Sequence, residues 1–115
     1  MRTPLKITFH DLTASEALEQ EIRDKAAKLE QLYSRITNCH VTVEVPHKHK
    51  AQGKTFNVRI GMQLPGSEIA VNRDQHEDVY IALRDAFNAA ERQLKDYARK
   101  QRGDTKHHEQ PGQGS

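Results

Sequence analysis

The sequence predicts an α+β fold, β-α-β-β-β-α in chain order: a four-stranded sheet with two helices packed on one face. Two observations carry this. Each strand-like segment alternates apolar and polar residues, so it has one face to bury. Each helix-like segment carries a single apolar stripe. A chain of 115 residues with 35% hydrophobic and 30% charged residues has material for one thin core. A sheet covered by one helical layer is the simple way to close it.

The elements follow in order. Leu5, Ile7 and Phe9 alternate with Lys6, Thr8 and His10 to give the first strand, which Asp11 and Leu12 end. Thr13 to Glu16 reads as a capping box, in which hydroxyl and carboxylate satisfy free backbone N–H groups at a helix start. Leu18, Ile22, Ala26, Leu29, Tyr33 and Ile36 then recur every three or four residues, a stripe on a helix of about five turns. Val41, Val43 and Val45 mark the second strand. Phe56, Val58, Ile60, Met62 and Leu64 mark a longer third one. Pro65-Gly66 is a turn signal leading into Ile69 and Val71, so these three strands pair antiparallel. Asp74 and Glu77 read as caps for the last helix. Val79, Tyr80, Leu83, Phe87, Ala90, Leu94 and Tyr97 line its apolar side to about Arg102, and Tyr80, Leu83, Phe87 and Leu94 are expected in the core. One domain over residues 1–102 is expected, with a disordered tail over 103–115, where no apolar residue provides an anchor.

Cys39 is the only cysteine, so no intrachain disulfide can form, which fits a reducing cytosol. No apolar run approaches the roughly 20 residues that span a bilayer, and Met1 to Asp11 lacks the apolar core of a signal peptide. The reading is cytoplasmic, with no membrane partner.

Net charge is only +2, from 18 Lys+Arg against 16 Asp+Glu, but the charge is unevenly placed. From Pro46 to Ser67 there is no Asp or Glu, and the stretch holds Lys48, Lys50, Lys54 and Arg59. From Arg92 to Arg102 the cations Arg92, Lys95, Arg99, Lys100 and Arg102 meet one anion, Asp96. Arg92, Lys95 and Arg99 fall at helical spacings of three and four, as do Lys25 and Lys28. Cations near a helix C-terminus are also ordinary dipole partners. Together with the acid-free loop they favour a polyanion, since Lys and Arg contacts to phosphate supply sequence-independent affinity. With three Tyr and no Trp, a stacking platform for single strands is not expected, and shape and phosphate recognition of structured RNA fits better.

Chemistry-bearing clusters are few. His47-Lys48-His49 lacks neighbouring ligands to complete a metal site, and His107-His108 lies in the tail. Cys39 and His40 are strand neighbours that point to opposite faces, so they do not form a nucleophile–base pair. At a helix start, His76-Glu77-Asp78 has an ordinary capping role. No enzyme activity, cofactor, metal or small-molecule substrate is indicated.

Two segments carry a family resemblance. Ala17–Leu29, ALEQEIRDKAAKL, resembles the first helix of the hibernation-promoting factor / ribosome-associated inhibitor A family, also described as sigma-54 modulation or ribosomal subunit interface proteins. His76–Leu94, HEDVYIALRDAFNAAERQL, resembles its second helix through the H-E-D-x-Y-x-A-[IL] opening and the later E-R-Q-L. The resemblance spans about residues 5–101 and is to the short form, without the extra C-terminal domain of long hibernation factors. It implies a fold similar to double-stranded-RNA-binding domains. It also implies a ribosome-associated translation inhibitor that binds the small ribosomal subunit where messenger and transfer RNA sit. The chain would be monomeric off the ribosome. The family's basic positions fall on Lys25, Lys28, Arg92 and Lys100, with Arg84, Lys95 and Arg99 as further rRNA contacts and Lys48, Lys50 and Lys54 as secondary ones. Ala89 and Asp96 stand where relatives carry basic residues. Two other readings share these features: a structured-RNA-binding module with another target, and a protein-interaction regulator of a transcription (sigma) factor.

Overall fold

The computed structural model describes residues 4–46 and 55–108, and the side chains of all of these but Gln75 and residues 102–108. The chain forms β1 (Leu5–His10), α1 (Glu16–Leu32), β2 (Asn38–Glu44), β3 (Phe56–Leu64), β4 (Ser67–His76) and α2 (Val79–His108). The four strands make one sheet in the order β1-β2-β3-β4. β1 lies parallel to β2, and the other pairs are antiparallel. A parallel neighbour needs a crossover, which α1 supplies. Pro65-Gly66 turns β3 into β4, and Gly66 takes the positive φ of 70° that such a tight turn favours.

Register sorts residues into faces. Ile7, Val41, Ile60 and Val71 stand side by side in one row, Thr8, Thr42, Arg59 and Asn72 in the next. The first row faces the helices, and its Val41, Ile60 and Val71 are buried. Leu18, Ile22, Ala26 and Leu29 of α1 and Leu83, Phe87 and Leu94 of α2 close over it, all at most 5% exposed. Ala82, Ala86, Ala89 and Ala90 are buried as well, and small residues let α2 lie close against the sheet. Cys39 is inward and buried, and that burial pushes its thiol up to about 11. His40 is on the opposite face, its Nε2 2.9 Å from the Thr8 hydroxyl and 3.4 Å from that of Thr42.

Five details differ from the sequence expectation. α1 ends at Leu32 with Tyr33 as its C-cap, so Ile36 is buried from the connection to β2 and not from the helix. The N-cap of α1 is Ser15, whose hydroxyl accepts from the Leu18 amide at 3.0 Å, so Thr13 and Glu16 are not a capping box. Asp78, not Asp74 with Glu77, caps α2: its carboxylate accepts from the Tyr80 amide at 2.8 Å and the Ile81 amide at 3.4 Å. Asp74 is still in β4, which runs to His76. Tyr80 is not core; it is 45% exposed, next to Ile81 at 42%. The α2 backbone stays helical to His108, past the expected end near Arg102. An interior glycine such as Gly103 weakens a helix by only about 1 kcal/mol relative to Ala, and does not stop it.

Candidate nucleic-acid interface

The cations sort by what holds them. At 3.6 residues per turn, Arg84, Lys95, Arg99 and Arg92 fall within about 80° of arc on α2, opposite its buried side, and Lys100 lies roughly another 80° round. The stripe from Arg84 to Arg99 runs about 22 Å along the axis. All five of these side chains are exposed. Lys95 pairs with Glu91 one turn earlier at 3.2 Å, and Arg99 pairs with Asp96. Arg84, Arg92 and Lys100 have no ion pair among the described residues. On α1, Lys25 is tied to Glu21 at 3.4 Å and half-buried, whereas Lys28 is exposed and has no such partner among the described residues. Asn88, Glu91, Arg92 and Lys95 together line a shallow open depression on α2.

Helix-dipole pairing does not explain this placement. A dipole acts within the last turn. Because α2 ends at His108, Arg92, Lys95, Arg99 and Lys100 all lie earlier than that. Likewise, the last turn of α1 holds no basic residue.

Tyr97 fixes where the stripe lies relative to the sheet. Its hydroxyl donates to the Pro65 carbonyl at 2.6 Å, and its ring meets Tyr33 edge-on at 5.4 Å. Partial burial raises the Tyr97 phenol above its ordinary value. Pro65 marks the β3–β4 turn, so α2 beyond Tyr97 extends past the end of the sheet, carrying Arg99 and Lys100 with it. The opposite end holds Pro46 and Thr55, which flank residues 47–54. Lys48, Lys50 and Lys54 lie outside the described residues. Ala89 is 4% exposed and packed in the core, so the missing cation at that position leaves no gap in the solvent-facing stripe.

The sequence-level cluster around His76 resolves into structure rather than chemistry. A β-bulge between Arg73 and His76, opposite Val58 and Phe56, brings both side chains to Asp85 of α2, at 3.4 and 3.2 Å. That triad fastens the start of α2 to β4. Among the described residues no three His, Cys, Asp or Glu side chains converge as a metal site, and no helix is long and apolar enough to cross a membrane.

Two helices over one face of a four-stranded mixed sheet define a small α+β domain, and the outer side of its longer helix exposes Arg84 and Arg92, which have no ion pair among the described residues. The chain belongs to the family described as Sigma 54 modulation protein / S30EA ribosomal protein, whose profile matches residues 5–102. It is 31% identical over 97 residues to a ribosome hibernation promoting factor of Pseudomonas putida, covering 84% of this chain and 88% of that one. A ribosome hibernation promoting factor of Azotobacter vinelandii is 29% identical over 97 residues, 84% of each chain. Among solved structures, a ribosomal subunit interface protein from Coxiella burnetii superposes with a TM-score of 0.71 at 21% identity, over 84% of this chain and 98% of that one. The N-terminal domain of Thermus thermophilus Protein Y gives 0.64 at 20% identity, over 83% and 98%. These two likenesses establish the shared fold.

Proposed function

We propose that this chain is a non-enzymatic hibernation factor that binds the small ribosomal subunit at the messenger- and transfer-RNA channel. The outer face of α2 would contact rRNA phosphates. The observation that carries this reading is the stripe of Arg84, Arg92, Lys95 and Arg99, continued by Lys100, along a helix whose dipole does not account for them. The names of the relatives supply the ribosome as target. In this reading Lys28 adds a contact from α1, and Lys25 joins by exchanging Glu21 for a phosphate. Lys95 and Arg99 do the same with Glu91 and Asp96. Such exchanges are cheap, because an exposed pair is worth only about 0–1 kcal/mol. Inhibition is steric: a folded basic domain occupies the channel and excludes messenger and transfer RNA. Lys48, Lys50 and Lys54, which lie outside the described residues, are secondary contacts in this reading. The mixed-charge surface, rather than a ring-lined groove, favours rRNA recognised by shape and phosphate.

Competition tests this directly. Small subunits preloaded with messenger RNA and initiator transfer RNA should lose them as the protein is added, and excess messenger should displace the protein in turn. Simultaneous binding of all three would exclude the channel as the site. Binding to the ribosome that is indifferent to salt would favour the sigma-factor or other protein-partner reading, since phosphate-driven binding falls steeply with salt.

A further inference from the structure

One surface feature is left over once the phosphate contacts are assigned. Tyr80 and Ile81, in the first turn of α2, are 45% and 42% exposed. Single exposed apolar residues are common and need no explanation. These two are adjacent, and they flank Arg84, which follows Tyr80 by four residues and Ile81 by three, the spacings at which helical side chains meet. The carboxylates nearest on the helix are occupied. Asp78 accepts from the Tyr80 and Ile81 amides, and Asp85 is held by Arg73 and His76. Glu77 precedes the helix and is exposed. The Arg84 guanidinium therefore has no ion pair among the described residues, and it has an open aromatic ring one turn away.

Tyr97 shows what a structural tyrosine looks like in this fold. Its ring packs on Tyr33 and its hydroxyl bonds to the Pro65 carbonyl. Tyr80 has neither kind of contact among the described residues, although a tyrosine that serves packing ordinarily buries its ring and satisfies its hydroxyl. Aromatic rings beside cations are how proteins hold unpaired bases: the ring stacks on the base and the cation takes the adjoining phosphate.

We propose that Tyr80, supported by Ile81 and Arg84, is a docking point for an unpaired nucleobase of the bound RNA. It lies at the head of the cation stripe, so one RNA can follow Arg99, Lys95 and Arg92 with its phosphates and place a bulged or looped-out base on Tyr80. This rests on the RNA-binding reading above and deepens it. The face recognises a structured RNA that carries an unpaired nucleotide, rather than a continuous duplex.

The test uses the full chain and two RNA hairpins with the same stem, one with a single bulged nucleotide and one fully paired. Wild type should prefer the bulged hairpin. Tyr80→Ala should weaken binding to it by about 5- to 150-fold, the range for loss of one stacked base, and to the paired hairpin by much less. Tyr80→Phe should retain most of the preference. The salt slope of Tyr80→Ala should equal the wild-type slope, whereas Arg84→Gln should make it shallower by about 0.7–0.9, one phosphate contact. The chain has no Trp, so tyrosine emission quenched by the bulged hairpin in wild type, and less so in Tyr80→Phe, would be a direct stacking signature. Equal affinity of Tyr80→Ala and wild type for the bulged hairpin overturns the proposal. So does a defect seen on ribosomes but on neither hairpin, which would assign Tyr80 to a protein contact. If wild type bound neither hairpin nor ribosomes, the RNA-binding reading itself would fall, an outcome distinct from these.

Discussion

Glu91 and Arg92 both line the shallow depression on the outer side of α2, and neutralising each should move RNA affinity in opposite directions. Glu91 holds Lys95 at 3.2 Å, with the two side chains 45% and 58% exposed. Glu91→Gln removes an exposed pair and should lower stability by only about 0.2–1 kcal/mol. It also removes a carboxylate from the surface that meets phosphate. Two like charges about 4 Å apart in water repel by about 1 kcal/mol. Binding should therefore tighten by about fivefold at low salt, where 1.4 kcal/mol is tenfold, and the gain should fade as the screening length shortens to about 8 Å near 0.15 M. Arg92→Gln should do the reverse. Arg92 is exposed and has no ion pair among the described residues, so nothing compensates its loss. The plot of log affinity against log salt should become shallower by about 0.7–0.9, which makes the wild-type advantage shrink about threefold between about 50 and 200 mM salt. The assay is equilibrium binding of each variant to purified small subunits across that range, with thermal melting alongside. If Glu91→Gln bound no tighter than wild type at low salt while Arg92→Gln kept the wild-type slope, the outer face of α2 would not be the phosphate contact.

Three further outcomes concern the fold. Leu83 is fully buried, and Leu83→Ala should cost about 2–5 kcal/mol of unfolding free energy, read by chemical denaturation. Asp78→Ala should cost about 1 kcal/mol through loss of the α2 cap, and Asp78→Asn should restore most of it, since Asn caps about as well; thermal melting checks both. Burial raises the Cys39 thiol from 9.0 to about 11, so the unfolded chain loses its proton first as pH rises. Stability from this group is complete below pH 9 and should decline by about 2 kcal/mol as pH climbs to 11. Denaturation of wild type and Cys39→Ala at pH 8 and 10 isolates it, because only wild type carries this part of the decline.

Much of the fold was legible because burial here is one-sided. Period two in the strands and a single stripe on each helix leave one arrangement that hides every apolar face, and the structure has it. The misread details have local causes. Thr13 and Ser15 can both cap a helix and lie within one turn, so composition alone does not choose Ser15. Asp74 looked like a cap because the bulge between Arg73 and His76 is invisible to alternation, and it lets β4 run to His76. Tyr80 sits at the margin of the α2 stripe, where the helical angle alone leaves the side chain in or out. The positions of the cations were readable, but which of them are unpaired was only half so. The four-residue spacings of Glu21 to Lys25 and Glu91 to Lys95 announced those two pairs. The freedom of Arg84 depends on Asp85 being drawn to Arg73 and His76, a tertiary contact with no sequence signature.

The most direct test of the central claim is sedimentation of the purified full chain with ribosomes on sucrose gradients at low and moderate salt, with protein synthesis assayed on the same mixtures. The protein should co-migrate with the small subunit, come off as salt rises and depress synthesis, and both effects should be lost in the triple variant Arg84→Glu, Arg92→Glu and Arg99→Glu, which remains folded. Protein left at the top of the gradient even at low salt, or a triple variant that binds and inhibits like wild type, would contradict that claim.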